Sequence, residues 1–547
     1  MRSFFGRHAI FAFVFVPAAG LMLHFAWHHG LASLGDDSVG YLTLAQWIAG
    51  SASPFVREWV PYHTNFPPLF PLVLAATGGA TPDFLAGHMV VALCAIASLV
   101  PLYRFAALLL GDERVAAGVV LLFLLLPTAW IGLLPLQSET LYLLISLGIL
   151  AWHGSRMSAG QATTRDEWIL GMLLGLAIVT RVAALALVAA YVVHAACALR
   201  RRQTTPARCV RPVLPAAALA FLWLVSWPAF RGRNYGLGLE AIARLASGDP
   251  AGLVVAGYRS LADGWVASFA MQPDVHVTTR CVILAVGVLA LAGAVLRARR
   301  NALDGWYVLA ALAMIFLWYQ PVNVTRRLLY PLVPVMLVHA ALFVRFACAR
   351  LPSPLSRRVP AAAAIALPLL FALPPLIVVQ LRAFDRAPLV RGEPESFSQF
   401  TEAYTTLSEP AARALVAREI AVVQGLRALA QETPPGARIL WMRPDYVALL
   451  GHRQGVPWLY REGLAGLAAR ARRERADYVI VSSISKADIE GGLAPRFDTF
   501  SALSAFAAPV AVKANAVLGD VEFALMRIDP AALEAYLARD ASPPAKP

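Results

Sequence analysis

The chain has 547 residues, of which 59% are hydrophobic and only 15% charged, and its mean hydropathy is +0.62. A soluble globular protein carries roughly 25% charged residues, and one hydrophobic core stops growing at about 250–300 residues, so an ordinary soluble enzyme, a disordered chain and a small secreted scaffold are all excluded. The net charge of +14 is not a nucleic-acid footprint: residues 381–547 hold 20 basic and 19 acidic side chains, while 1–380 hold 27 and 14, clustered between apolar runs as topology-setting charge is.

A bilayer takes about 20 apolar residues per helix. Such runs lie near 9–28, 85–109, 115–132, 137–153, 168–180, 182–199, 213–230, 279–297, 305–320, 329–347 and 360–380, which predicts about eleven spans. The fifth and sixth are short and meet at Thr180-Arg181. Alternate connections carry Arg2 and Arg7, Arg104 and Arg114, Arg156 and Arg165, the Arg200–Arg211 cluster, Arg297–Arg300, and Arg345–Arg358. The positive-inside rule makes these cytoplasmic. The N-terminus is then inside and residues 381–547 are outside. The first span is followed by no A-x-A site before Asp36, so it is expected to be retained. Cys94, Cys197, Cys209, Cys281 and Cys348 have neither metal spacing nor a pairing pattern and read as small buried hydrophobes.

Polar chemistry collects on the outer side. The first outer loop, 29–84, reads as an amphipathic stretch from Ser38 to Ile48 and a Pro-rich return through Asn65-Phe-Pro-Pro-Leu-Phe-Pro. The second, 231–278, holds Trp265 and Phe269 and is expected along the membrane surface. After a polar linker, Ser408-Glu-Pro starts a helix that ends before Pro434-Pro-Gly436. Arg438–Met442, Tyr478–Ser482 and Val521–Ile528 read as strands, with a basic helix over 462–475. This alternation predicts a small α/β domain with a partly parallel sheet. The domain boundary is placed at 380/381.

Asp36 and Asp37 follow span 1. They read either as helix N-cap carboxylates or, for a partly desolvated group at the membrane plane, as a general base for an acceptor hydroxyl. Glu139, in Gln137-Ser-Glu-Thr, is either a helix-start carboxylate or a second acidic group facing a cavity. Arg181, Arg231, Arg233, Arg326 and Arg327 all break the positive-inside rule. An arginine at mid-span costs roughly 2.5–3.5 kcal/mol on the insertion scale. They either snorkel to headgroups or converge on an anion, for which guanidinium forks are suited. A phosphate there implies a lipid-linked substrate. His63 and Glu58 are candidates for a divalent metal, although their spacing matches no recognised pattern.

Together these residues resemble the GT-C superfamily of polyprenyl-phosphate-dependent glycosyltransferases, in the branch of the lipid A aminoarabinose transferases and protein O-mannosyltransferases. The likeness runs through Asp36-Asp37-Ser-Val-Gly-Tyr41, Phe66-Pro-Pro-Leu-Phe-Pro71, Ser138-Glu139, Thr180-Arg181 and Thr325-Arg326-Arg327-Leu-Leu-Tyr330-Pro331. Leu450-Gly-His-Arg453 resembles a Thr-Gly-Arg tract of the family's C-terminal domain. Some members carry Glu-Lys before Pro-Pro-Leu; here Asn65-Phe66 stand in that place. The resemblance implies a GT-C-like polytopic α-helical membrane protein with a small extracytoplasmic α/β domain, in the bacterial inner membrane. It implies Asp37, with Asp36 beside it, as base, Glu139 as second acidic residue, and the five arginines with Tyr330 as the donor-phosphate site. Tyr41 and His63 are assigned to substrate binding. The expected partners are a polyprenyl-phosphate-linked sugar, an acceptor lipid, glycan or protein, and membrane lipids, with no nucleic acid. No cofactor beyond a divalent metal is implied.

The chemistry is self-consistent. A phosphate leaving group departs without a strong general acid, arginines stabilise its growing charge, and one carboxylate deprotonates the incoming hydroxyl. In-line displacement inverts the anomeric carbon. The competing class is a transporter or flippase for a lipid-linked anion, which would also place arginines in a cavity but more often shows internal repeats; none is seen here.

Overall fold

The computed structural model describes residues 2–29, 33–34, 36–80, 85–133, 135–157, 162–226, 250–270, 273–318, 322–350, 396–397, 409–458, 463–482 and 501–540. Arg231, Arg233, the eleventh predicted span at 360–380 and the linker that follows it lie outside them.

In chain order, α1 (Arg2–His29) leads to α2 (Asp36–Ile48), α3 (Pro54–His63) and α4 (Leu69–Ala76). Then come α5 (Leu85–Leu110), α6 (Glu113–Leu125), α7 (Pro127–Ile131), α8 (Glu139–Trp152), α9 (Thr164–Thr180), α10 (Leu185–Arg200) and α11 (Pro206–Ser226). Next are α12 (Pro250–Ala270), α13 (Val277–Arg299), α14 (Leu303–Leu317), α15 (Val322–Leu329) and α16 (Val333–Cys348). The remaining segments are α17 (Glu409–Glu432), β1 (Arg438–Trp441), α18 (Pro444–Gly451), β2 (Gln454–Pro457), α19 (Gly463–Glu474), β3 (Tyr478–Ser482), β4 (Ala507–Ala514), β5 (Val521–Ile528) and α20 (Pro530–Asp540).

By compactness the chain divides into two units: 1–27 with 64–73 and 88–384, and 28–63 with 74–87 and 385–547. Most of the first outer loop thus groups with the C-terminal domain.

The first unit is helical. Among the described residues five helices are long and apolar enough to cross a membrane, Ala9–Trp27, Leu85–Leu110, Val182–Arg200, Pro206–Ser226 and Val277–Arg299, with Leu303–Leu317 and Val333–Cys348 as shorter apolar helices. The third predicted span is split into α6 and α7, because Pro127 cannot donate the bond that would continue α6 and instead starts a new helix. Small residues let helices touch. A Cβ at Gly171 would run into the Pro212 carbonyl oxygen and the Pro215 ring, so α9 and α11 meet backbone to backbone there. The second outer loop contributes α12, whose Trp265 and Phe269 are buried; Trp265 Nε1 donates to the Ile283 carbonyl at 2.8 Å.

At the opposite end of these helices from Glu139 lies a closed polar cluster. Arg297 forks onto both oxygens of Asp304 at 2.8 Å each, and His339 Nε2 meets Asp304 Oδ2 at 2.9 Å. His194 Nδ1 lies 2.6 Å from the Asn301 carbonyl.

In the second unit, residues 38–46 of α2 are all buried, so the predicted amphipathic stretch is instead covered on every side. Its neighbours are α3 and α18. The sheet order is β2-β1-β3-β5-β4, parallel across β2, β1 and β3 and antiparallel from β3 to β5 to β4. Leu440, Val479, Val481, Ala524 and Met526 pack against Leu467 of α19 and Leu533 of α20. Arg453 is buried and closes the C-terminus of α17. Its guanidinium donates to Thr433 Oγ1 at 2.9 Å and to the carbonyls of Ala430, Thr433 and His452 at 2.6, 2.6 and 2.9 Å. A cation on the last carbonyls of a helix satisfies orphan acceptors and complements the dipole. This accounts locally for the arginine of the Leu450-Gly-His-Arg453 tract.

Candidate active site

Two groups of predicted residues come together, one in each unit. In the first, Gln137 and Ser138 precede α8, and Glu139 opens it. The packed neighbour α9 ends at Thr180, and Arg181 leaves the helix in extended backbone (φ −160°, ψ 134°) at the level where α8 begins. Arg326 and Arg327 occupy the last turn of α15, where cations suit the helix dipole. α15 is held beside α12 by the Ser260 and Thr325 hydroxyls, 2.7 Å apart. Gly264 permits that approach, since a Cβ there would meet the Thr325 side chain.

Glu139 is 4% exposed. Its Oε1 accepts from Arg181 Nη1 at 2.7 Å and from Arg327 Nε and Nη2 at 3.0 and 2.9 Å. Its Oε2 is buried with no hydrogen-bond partner among the described residues. Arg326 adjoins this bracket. Burial, with Arg327 beside it, lowers its pKa to about 10, which leaves it charged at neutral pH. Tyr330 follows directly, its ring against the backbone of Gly132, where a Cβ would stand 2.7 Å from it. One turn along α8, the buried Tyr142 hydroxyl lies 3.1 Å from that of Tyr307.

In the second unit, Asp36 opens α2, and Asp37 is half-buried in the same first turn. Tyr41, one turn on, is buried. His63 ends α3, and its Nε2 stands 3.6 Å from Oδ2 of Asp445, a residue of the first turn of α18. Burial pushes the His63 pKa down, opposed by the negative charges of Asp445 and Asp37. Glu58 is exposed and accepts from Gln454 Nε2 at 3.4 Å. The same unit holds a cavity of about 250 Å³ lined by Gln46, Ser51, Ser53, Val56 and His452 among others, and none of the predicted site residues lines it. Among the described residues no three His, Cys, Asp or Glu side chains gather as a metal ion would need. His63 has Asp445 as its acidic neighbour at 3.6 Å. Sequence reading missed Asp445. Its signal was Pro444-Asp445, a proline and a carboxylate placed as in the first turn of a helix.

No family model and no curated protein matches the chain in sequence. Solved structures do match it. ArnT from Cupriavidus metallidurans in the apo state aligns with a TM-score of 0.52 at 13% identity, over 94% of this chain and 97% of that one. The same protein bound to undecaprenyl phosphate gives 0.51 at 14%, over 94% and 98%. The archaeal oligosaccharyltransferase AglB from Archaeoglobus fulgidus, in complex with an inhibitory peptide and a dolichol-phosphate, gives 0.53 at 13%, over 92% and 73%. At such identities the likeness is one of fold. The chain shares its fold with ArnT over nearly the whole of both chains, the fold that the motifs of its first 350 residues led us to expect.

Proposed function

We propose that this protein is an integral membrane glycosyltransferase that moves a sugar from a polyprenyl-phosphate donor to an acceptor hydroxyl. The reaction takes place on the outer face of the bacterial inner membrane. In this reading the chain spans the membrane about eleven times, with a cytoplasmic N-terminus and a periplasmic C-terminal domain. Arg181, Arg326, Arg327 and Tyr330 bind the donor phosphate, joined by Arg231 and Arg233. Asp37, with Asp36 beside it, takes the proton from the acceptor hydroxyl as that oxygen attacks the anomeric carbon. The C–O bond to phosphate breaks, its electron pair stays on the phosphate, and the sugar inverts. Tyr41 and His63 line the acceptor side. The acceptor is a lipid, a glycan or a protein.

The observation that carries the reading is the gathering of arginines from α9 and α15 at the buried Glu139, in a fold shared with a protein bound to undecaprenyl phosphate. Guanidiniums held in a desolvated place are what a departing phosphate needs, because their interaction strengthens as charge grows on it. The test is transfer in reconstituted membranes from a panel of radiolabelled polyprenyl-phosphate sugars. General-base help is worth about 10²–10⁴-fold, so Asp37→Asn is expected to lose at least a hundredfold in kcat while folding normally. Near-wild-type transfer by that variant sinks the assignment of the base. No transfer from any donor, with the lipid instead crossing the bilayer, sinks the transferase.

A further inference from the structure

We infer that Glu139 is the resident counter-ion of the phosphate site: it competes with the lipid phosphate for the Arg181 and Arg327 donors and so sets how readily the spent carrier leaves. This rests on the proposed donor site and adds a role for the one carboxylate within it.

The geometry argues against Glu139 as a base. Its Oε1 accepts from both Arg181 and Arg327, at 2.7–3.0 Å. The bracket fills that oxygen with three N–H donors, leaving no lone pair on it for the proton of an incoming hydroxyl. It is also an unusual way to satisfy a buried acid. An arginine normally forks across both oxygens of a carboxylate, as Arg297 does on Asp304 within the same unit. Here both arginines crowd onto one oxygen, while the other is buried without a hydrogen-bond partner among the described residues. Phosphate offers the same guanidiniums three oxygens in place of one. The pairing therefore holds Arg181 and Arg327 in place on Glu139 and yields to a better acceptor when one arrives.

The consequence has a sign. A negative charge beside an anion site weakens anion binding. Across about 6–7 Å at an effective dielectric of about 20–40, removing it strengthens binding by roughly tenfold or more. Reaction leaves a lipid monophosphate in the site, and the oxygen freed when the sugar departs adds to its negative charge. Without Glu139 that product would bind the arginines too well, and turnover would become limited by its release.

The full chain in nanodiscs of zwitterionic lipid would be titrated with undecaprenyl phosphate, the uncharged polyprenol and inorganic phosphate, as wild type, Glu139→Gln and Glu139→Asp. Wild type should bind the lipid phosphate more tightly than the polyprenol or inorganic phosphate. Glu139→Gln should bind the lipid phosphate roughly tenfold more tightly than wild type, with the polyprenol unchanged. In transfer assays it should show a lower kcat, no rise in KM for the donor, and a roughly tenfold lower inhibition constant for added lipid phosphate. Glu139→Asp keeps the charge but draws it back from the arginines, and should fall between the two; it serves if the Gln variant does not accumulate. Lipid-phosphate affinity equal to or below wild type in either variant overturns the inference. So does loss of turnover in Glu139→Gln with unchanged affinity, which would make Glu139 an acid–base group. A wild type that does not prefer the lipid phosphate to the polyprenol fails the proposed function instead.

Discussion

Arg181→Met measures what the Glu139 bracket contributes to the fold. Arg181 is 14% exposed and Glu139 5% in their side chains, and their 2.7 Å contact is shielded from water. Removing one partner of a buried pair costs about 3–5 kcal/mol, mainly because a charge is left buried and less well compensated. Arg327 remains on Glu139 Oε1 and still compensates it, so the cost falls below that range, at about 2–3 kcal/mol. The unit that contains the pair has about 330 residues, and at about 2.1 cal/mol/K of unfolding entropy per residue the loss lowers its midpoint by roughly 3–4 °C. A matched comparison lies in the same unit. Arg208 and Arg211 also share one glutamate, Glu167, but Arg208 is 54% exposed and 3.4 Å away. Glu167 is itself buried, but Arg211 stays on it at 2.8 Å and the exposed Arg208 contributes about 0.2–1 kcal/mol, so Arg208→Met should move the midpoint by about 1.5 °C or less. The assay is thermal unfolding in detergent, followed by size exclusion of the surviving monodisperse protein. In a Glu139→Gln background the Arg181→Met loss should shrink by more than half, because the charge it left behind is gone. Equal midpoints for Arg181→Met and Arg208→Met would refute the argument that burial decides the worth of these pairs.

Arg453→Lys should cost about 2 kcal/mol, since an ammonium group has three donors in a compact head and cannot span the Thr433 hydroxyl and three carbonyls that the guanidinium reaches; urea unfolding followed by circular dichroism would read it. Gly171→Ala should abolish the monodisperse protein peak, because its Cβ meets a backbone oxygen of α11, whereas Gly148→Ala, with nothing within 4 Å, should stabilise by about 0.5–1 kcal/mol. The second unit should lose stability as pH falls below the ordinary histidine value of 6.5. Burial lowers the His63 pKa in the folded state, so the unfolded chain binds more protons there, and stability rises with pH between the folded and unfolded values. His63→Gln should flatten that slope in a thermal-shift series from pH 5 to 7.5.

What the sequence made legible follows from what encodes it. Long apolar runs gave the helices, and Tyr478–Ser482 and Val521–Ile528 read as strands to the residue because both are almost wholly buried. The two edge strands were not legible. Gln454–Pro457 carries Gly455 and Pro457, residues that argue against a strand. Ala507–Ala514 is mostly exposed, with Pro509 near its start and register shifts against its neighbour. Proline on an edge strand loses no ladder bond that matters, so tertiary context overrode propensity. The stretch from Ser38 to Ile48 read as amphipathic because its polar residues are spaced like a solvent face. In the fold Ser38, Thr43 and Gln46 are buried, and Gln46 Nε2 donates to the Ala80 carbonyl at 3.2 Å. For the site, residue types out of place were the signal: arginines on the wrong side of the positive-inside rule, a carboxylate at a span end. Their pairing was invisible, since Arg181 and Arg327 lie 42 and 188 positions from Glu139 and no local spacing links them.

The chain's arginines are distinguished less by where they stand in sequence than by what accepts from them. Arg453 meets one hydroxyl and three carbonyls, an arrangement complete within the protein. Arg297 has both oxygens of Asp304, with His339 closing the group, and it too asks for nothing further. Arg208 and Arg211 share the buried Glu167, one on each of its oxygens, and their own heads are open enough for water to supply the other acceptors. At Glu139 two arginines from different helices converge on one oxygen of a buried carboxylate while its second oxygen goes unused. A protein selected only for stability would do better with a bidentate fork, or with apolar side chains of the same volume. Retaining the less favourable pairing is the pattern expected where stability is exchanged for a binding step. On the proposed reading, planar forks aimed from two directions match a tetrahedral phosphate better than they match a second carboxylate.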